Sequence, residues 1–211
     1  MRESDEEKLK RLKQHELEIY QKNPQIQYIC GIDEAGRGPL AGPVVVGAVI
    51  MPKESWIKGV NDSKKIAEKK REILFEKITE EAVAYGVGIV DPKTIDEINI
   101  LNATKLALTK AIQELKVKPD LIIVDALEHI NTLGIPYESM IKGDEKVYSV
   151  SAASIVAKVT RDRIMRQWDE VYPQYGFEHH KGYGTKAHIE AIRTYGLTPI
   201  HRRSFTKNFV S

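Results

Sequence analysis

The chain has 211 residues and a mass of 23.9 kDa, the size of one ordinary domain, and its 42% hydrophobic and 29% charged residues argue against wholesale disorder. The longest apolar run, Val44 to Met51, is too short to cross a bilayer, and no basic-then-apolar signal segment opens the chain. The single cysteine, Cys30, excludes an internal disulfide and a cysteine-rich zinc site, so a soluble cytoplasmic domain is the expectation, with no membrane partner. The net charge of +2 names no partner, but from Lys146 onward 11 Lys/Arg stand against 5 Asp/Glu. His179, His180, His188 and His201 lie in the same stretch, a balance that suits a polyanion.

Residues 1–27 read as a charged helical lead-in with a thin apolar stripe of Leu9, Leu12, Ile19 and Tyr20, ended by Asn23-Pro24. The expectation is a solvated extension resting loosely on a domain formed by residues 28–211. Tyr28 to Asp33 and Val44 to Met51 are short strands on either side of a Gly/Pro-dense loop, Ala35 to Pro43. Ser63 can cap a helix over Lys64 to Ala82, with Ile66, Ile73, Leu74 and Ile78 inward. A strand at Val83 to Val90 and a helix over Asp96 to Leu115 follow, the latter turning Ile98, Leu101, Leu108, Ile112 and Leu115 to one face. Leu121 to Asp125 has the composition of a strand buried on both faces, and Ile135 to Ile141 that of a more exposed last strand. A helix from Ser151 to Tyr172 and one capped by Thr185 that stops before Gly196 complete a single α/β domain with a helical C-terminal part.

Two apolar strands each end in an aspartate, Asp33 and Asp125. As parallel neighbours these would lie one strand spacing, about 5 Å, apart. Carboxylates that close repel each other unless a cation intervenes, and oxygen-only ligands point to Mg²⁺ or Mn²⁺. Glu34 follows directly, and since consecutive strand residues face opposite ways, it can join them only if the strand ends there. The glycines flanking Arg37 let backbone amides approach a ligand, and the guanidinium suits a phosphate. Ser154, Lys158 and Arg161 share one helix face, which would be a phosphate-holding stripe or a solvated face with Asp162 paired nearby. Lys64 or Lys65, at a helix start, is a further phosphate candidate. Tyr183, between Gly182 and Gly184, is a ring on a flexible loop, suited to stacking on a nucleotide or to anchoring its own loop.

The stretch Gly31 to Val45, Asn61-Asp-Ser-Lys-Lys65, Val124-Asp-Ala126, Lys142-Gly-Asp144, Ser151-Ala-Ala-Ser-Ile-Val-Ala-Lys158 and His180-Lys-Gly-Tyr-Gly-Thr-Lys186 together resemble bacterial ribonuclease HII, in that family's order. The resemblance implies a ribonuclease H-like mixed five-stranded sheet flanked by helices. It implies an endonuclease that cuts the RNA strand of RNA·DNA hybrids and incises 5′ of a single ribonucleotide in duplex DNA, leaving 3′-hydroxyl and 5′-phosphate ends. Asp33, Glu34, Asp125 and Asp144 would be its metal carboxylates, holding two Mg²⁺ or Mn²⁺ ions about 4 Å apart. Gly36, Arg37 and Gly38 would contact the 2′-hydroxyl that distinguishes RNA from DNA, and Tyr183 would lie against the sugar 3′ of the cut. A DNA nuclease on the same kind of fold and a non-catalytic nucleic-acid module are the competing readings, and a monomer is the expected state.

Overall fold

A computed structural model describes residues 4–209. In chain order the helices are α1 (Asp5–Lys22), α2 (Glu68–Glu81), α3 (Pro92–Ile98), α4 (Ile100–Gln113), α5 (Gly143–Lys146), α6 (Tyr148–Val171), α7 (Phe177–His180), α8 (Lys186–Tyr195) and α9 (Arg203–Thr206). The strands are β1 (Ile29–Ala35), β2 (Val44–Ile50), β3 (Ala84–Val90), β4 (Leu121–Asp125) and β5 (Tyr137–Met140). They form one mixed five-stranded sheet in the order β3-β2-β1-β4-β5, antiparallel across β1, β2 and β3 and parallel from β1 through β4 to β5. No helix among the described residues is long and apolar enough to cross a membrane.

The sheet is covered on both faces, and small residues set how closely. β2 is buried along its whole length, as a β-branched run between two layers should be. On one face α6 presses against β1 and β2 where glycines leave room. A Cβ on Gly31 would stand 2.1 Å from the Ser149 carbonyl carbon, and one on Gly47 would stand 2.6 Å from the Ala153 oxygen. On the other face α4 lies on β3 in the same manner, a Cβ at Gly88 falling 1.7 Å from the Ala107 oxygen. A separate cluster of Leu40, Ala41, Met165, Phe177, Ile192 and Ile200 ties the C-terminal helices to the far end of α6 and to the loop after β1.

Several elements differ from the sequence expectation for local reasons. The helix expected from Lys64 begins only at Glu68. Before it comes a 3-10 turn, Ser63–Lys65, capped by Asp62 rather than Ser63 through the Lys64 N–H (3.0 Å). Ile73 faces solvent. The helix expected over Asp96 to Leu115 is broken at Asn99, which sits at φ +65° and accepts from the Asn102 N–H, leaving Leu101 exposed. α6 starts three residues earlier than expected.

The N-terminal helix departs furthest. It opens on a capping box between Ser4 and Glu7, then docks. Leu12 is fully buried and so, nearly, is Lys13, whose ammonium donates to the carbonyls of Lys53 and Ser55 and sits about 5 Å over the rings of Trp56 and Tyr148. Glu16 accepts the Ser149 N–H at 2.8 Å in the first turn of α6, and Arg11 donates to the Glu145 carbonyl. The segment is a packed part of the structure, not a loosely resting helix.

Candidate active site

The parallel ladder between β1 and β4 ends at the pair Ile32–Val124, and the next residue on each strand is an aspartate. Asp33 and Asp125 therefore flank each other at the sheet end, as the sequence suggested. β1 itself continues through Glu34 to Ala35 against β2, so the strand does not stop at Asp33. What stops there is its pairing with β4. Asp144 arrives from the turn after β5: Lys142 takes a left-handed conformation, and the Gly143 N–H donates to Asp125 Oδ1 at 2.8 Å, setting Asp144 beside it. Asp33 and Asp144 are each only 5% exposed.

The electrostatics show that these groups share one space. Burial raises the Asp33 carboxyl well above the ordinary range, and the charges of Glu34, Asp125 and Asp144 add to it, while the Glu34 N–H hydrogen bond opposes. Burial also raises Glu34, with Arg37 pulling back and Asp125 pushing further. Asp144 is raised by burial, then by Asp125 and Asp62. Burial works against the charge on Lys64, but the fields of Asp144, Asp33 and Asp62 outweigh it and hold the ammonium above its usual range. Its Nζ stands 3.5 Å from Asp144 Oδ2, and Arg37 Nη1 stands 3.4 Å from Glu34 Oε1. Among the described residues no three acidic, histidine or cysteine side chains are drawn onto one point as a closed metal cage. The carboxylates instead take the donors nearest to them. An all-oxygen set this crowded and this poorly neutralised nonetheless fits a hard divalent cation.

Neither expectation for the α6 face, a phosphate-holding stripe or a solvated surface, matches the structure, although Asp162 is paired as the second had it. Ser154 is buried, accepting the Ser63 N–H and donating to the Ser151 carbonyl. Lys158 is paired with buried Asp162 at 2.7 Å, a carboxylate that Arg71 also approaches. Arg161 is 1% exposed and spends its donors on backbone: Nε on Pro43 O (2.9 Å), Nη1 on Lys181 O (2.9 Å) and Nη2 on Ala41 O (3.0 Å). All three hold the scaffold. Helical spacing puts the three residues on one face of α6, but it does not say whether that face meets solvent or another element.

Beside Arg161 lies Arg202, which sequence reasoning missed. It is fully buried, and it grips Gly42 O (3.0 and 2.9 Å), Arg37 O (2.9 Å) and Gly36 O (2.6 Å). Burial draws the Arg161 guanidinium down to about 10; burial and then the neighbouring Arg161 charge draw Arg202 to about 9. Both remain charged at neutral pH. Tyr183 stands across the loop, half-exposed: a Cβ on Gly38 would lie 3.8 Å from its ring. Gly36, Arg37, Gly38 and Tyr183 thus form one rim, next to Glu34.

The Tyr183 loop is anchored by histidines. The Thr198 N–H donates to His201 Nδ1 (2.9 Å), so His201 carries its proton on Nε2 and gives it to His188 Nε2 (3.0 Å), leaving His188 Nδ1–H for the Tyr183 carbonyl (2.9 Å). Burial pushes both rings down to about 4, each further lowered by a neighbouring histidine, so the chain is neutral at pH 7.

A family model described as ribonuclease HII matches residues 30–208. Ribonuclease HII of Acetivibrio thermocellus is 57% identical over 196 residues, 93% of this chain and 75% of that protein. Ribonuclease HII of Clostridioides difficile is 57% identical over 206 residues, 98% of this chain and 80% of that protein. Among solved structures, the ribonuclease H2 from Pyrococcus horikoshii superposes with a TM-score of 0.70 at 32% identity, covering 86% of this chain and 96% of that one.

Proposed function

The chain belongs to the ribonuclease HII family, a family of phosphodiester hydrolases acting on RNA·DNA hybrids, and from that membership we propose that it also incises duplex DNA 5′ of a single embedded ribonucleotide. The observation that carries the reading is the meeting of Asp33, Glu34, Asp125 and Asp144 at one sheet end, beside a rim of exposed backbone donors and an aromatic ring.

In this reading Asp33 and Asp125 are the central pair of ligands for divalent cations, two Mg²⁺ or Mn²⁺, with Glu34 and Asp144 on either side. The chemistry that such cations supply is a more acidic attacking water and neutralisation of charge on the departing oxygen. Asp33 and Asp125, projecting from rigid strands, fix where the phosphodiester must sit. Lys64 offsets the excess negative charge at Asp144 and stands at the edge where a phosphate would enter. Gly36 to Gly38 and Tyr183 receive the ribose, the backbone donors meeting its 2′-hydroxyl and the ring lying against the neighbouring sugar. Residues 28–211, the last two of which lie outside the described residues, are on this reading the catalytic domain, with α1 buttressing it.

A duplex with one ribonucleotide, set beside an all-DNA duplex of the same sequence, tests the proposal. Cleavage of the first alone, 5′ of the ribonucleotide and abolished by EDTA, is the expected result. Equal cleavage of both would eliminate it. Asp125→Asn is expected to lower the rate by roughly a thousandfold or more while the fold survives, because a ligand is lost and like-charge repulsion is relieved. An active, folded variant would remove Asp125 from the mechanism.

A further inference from the structure

The two interior arginines bear on how the rim is aimed. Among the described residues their hydrogen bonds go to backbone carbonyls, not carboxylates, and six carbonyls from Gly36 to Pro43 and at Lys181 turn inward to meet them. Every peptide bond described is trans. In a trans peptide the carbonyl and the following N–H point in opposite directions. When Arg202 Nη2 and Nη1 hold Gly36 O and Arg37 O toward the interior, the N–H groups of Arg37 and Gly38 are turned outward. Both of those residues are exposed, and neither N–H has a protein acceptor among the described residues, whereas the next donor along, Leu40 N–H, is already bonded to Gly182 O at 2.8 Å. Pro39 has no N–H to offer. The rim therefore presents two free, adjacent donors beside the Tyr183 ring.

Gly36 and the arginines fit each other. The residue sits at φ +98°, and a Cβ there would fall 2.1 Å from Arg161 Nε. The guanidinium fills the space that a side chain would need, so the loop can pass over the arginines only as glycine.

We propose that Arg202, backed by Arg161, is a positioning residue for ribose recognition: by holding the carbonyls of Gly36 and Arg37 inward, it aims the N–H groups of Arg37 and Gly38 at the 2′-hydroxyl. The inference rests on the reading of Gly36 to Gly38 as the ribose-facing rim. A planar fork reaching three carbonyls does this, and a lysine, with its charge on one nitrogen, does not.

The test is competitive binding in EDTA, where nothing is cut, between a duplex with one ribonucleotide and the same duplex in all-DNA form. The wild-type chain is expected to prefer the ribonucleotide by roughly tenfold, the worth of one or two hydrogen bonds. Arg202→Lys, confirmed folded by circular dichroism, is expected to lose that preference while its affinity for the all-DNA duplex stays unchanged. A preference retained in Arg202→Lys overturns the positioning role, as does an equal loss on both duplexes, which marks a plain structural staple. Absence of any preference in the wild type sinks the ribose-facing reading itself, and this inference with it. Should Arg202→Lys not fold, amide NMR of the wild-type chain decides: the Arg37 and Gly38 N–H signals must move with the ribonucleotide duplex and not with the all-DNA duplex. Equal movement, or none, overturns the proposal.

Discussion

Two buried charge clusters lie on either side of the glycine loop, one acidic and one basic, and they are built on opposite terms. At the end of β1 and β4, Asp33, Glu34, Asp125 and Asp144 crowd together with little cationic relief, and burial raises three of them, Asp33, Glu34 and Asp144. Behind the loop, Arg161 and Arg202 are as thoroughly buried, yet their N–H donors point at carbonyl oxygens. The arginines spread their charge over peptide dipoles and are finished as they stand. The carboxylates are left in want of positive charge from outside. Burial of like charges alone therefore does not mark a catalytic centre; what matters is whether the surrounding protein has already answered the charge.

The comparison breaks most readily at the arginines. Arg202→Ala should lower stability by about 3–5 kcal/mol in urea denaturation, since the carbonyls of Gly36, Arg37 and Gly42 would lose their buried donor. A loss well under that range would mean that water or a neighbour satisfies them.

Acidification in EDTA sharpens the contrast further. His188 and His201 have folded values near 4 against an ordinary 6.5, so their stabilising contribution is complete above 6.5 and drains away as the pH falls toward 4, at about 1.4 kcal/mol per unit for each ring. The raised carboxylates act in the opposite sense. Their contribution is complete below the ordinary carboxylate range and is lost as the pH rises through their folded values. Asp33→Asn removes part of the carboxylate term, so its stability should fall more steeply than the wild type's between pH 6.5 and 4; parallel curves would show that the acids are not crowded in solution.

The smallest effect concerns Lys158. Because its ammonium is committed to the buried Asp162, which Arg71 would still face, Lys158→Gln should leave the KM for a hybrid substrate unchanged and cost about 2 kcal/mol of stability. A marked rise in KM would restore it to the phosphate-binding surface.

Much of this arrangement could be read from the chain. β-branched runs announced the central strands, and paired aspartates at strand ends announced the acidic site, because both signals are local. The break at Asn99 was invisible, since a helical stripe runs across it and only the positive φ reveals the stop. Glu34 was expected to need the end of its strand, whereas the opening of the β1–β4 ladder serves instead, a property of two strands rather than one. Arg202 gave no signal at all. Its partners lie 160 to 166 residues away at glycine and arginine carbonyls, and backbone oxygens carry no sequence signature.

Glu16 on α1 accepts the Ser149 N–H across 133 residues, and Lys13 needs the carbonyls of Lys53 and Ser55. During synthesis this helix emerges before the sheet it packs on, and its final seat does not exist until Ser149, 133 residues further along, has followed. Its many charges suit that wait, keeping an early, unseated amphipathic segment hydrated and away from wrong partners. Its seat is built from contacts distant in sequence, and one of them, from Arg11 to the Glu145 carbonyl, ties the helix to the turn that bears Asp144.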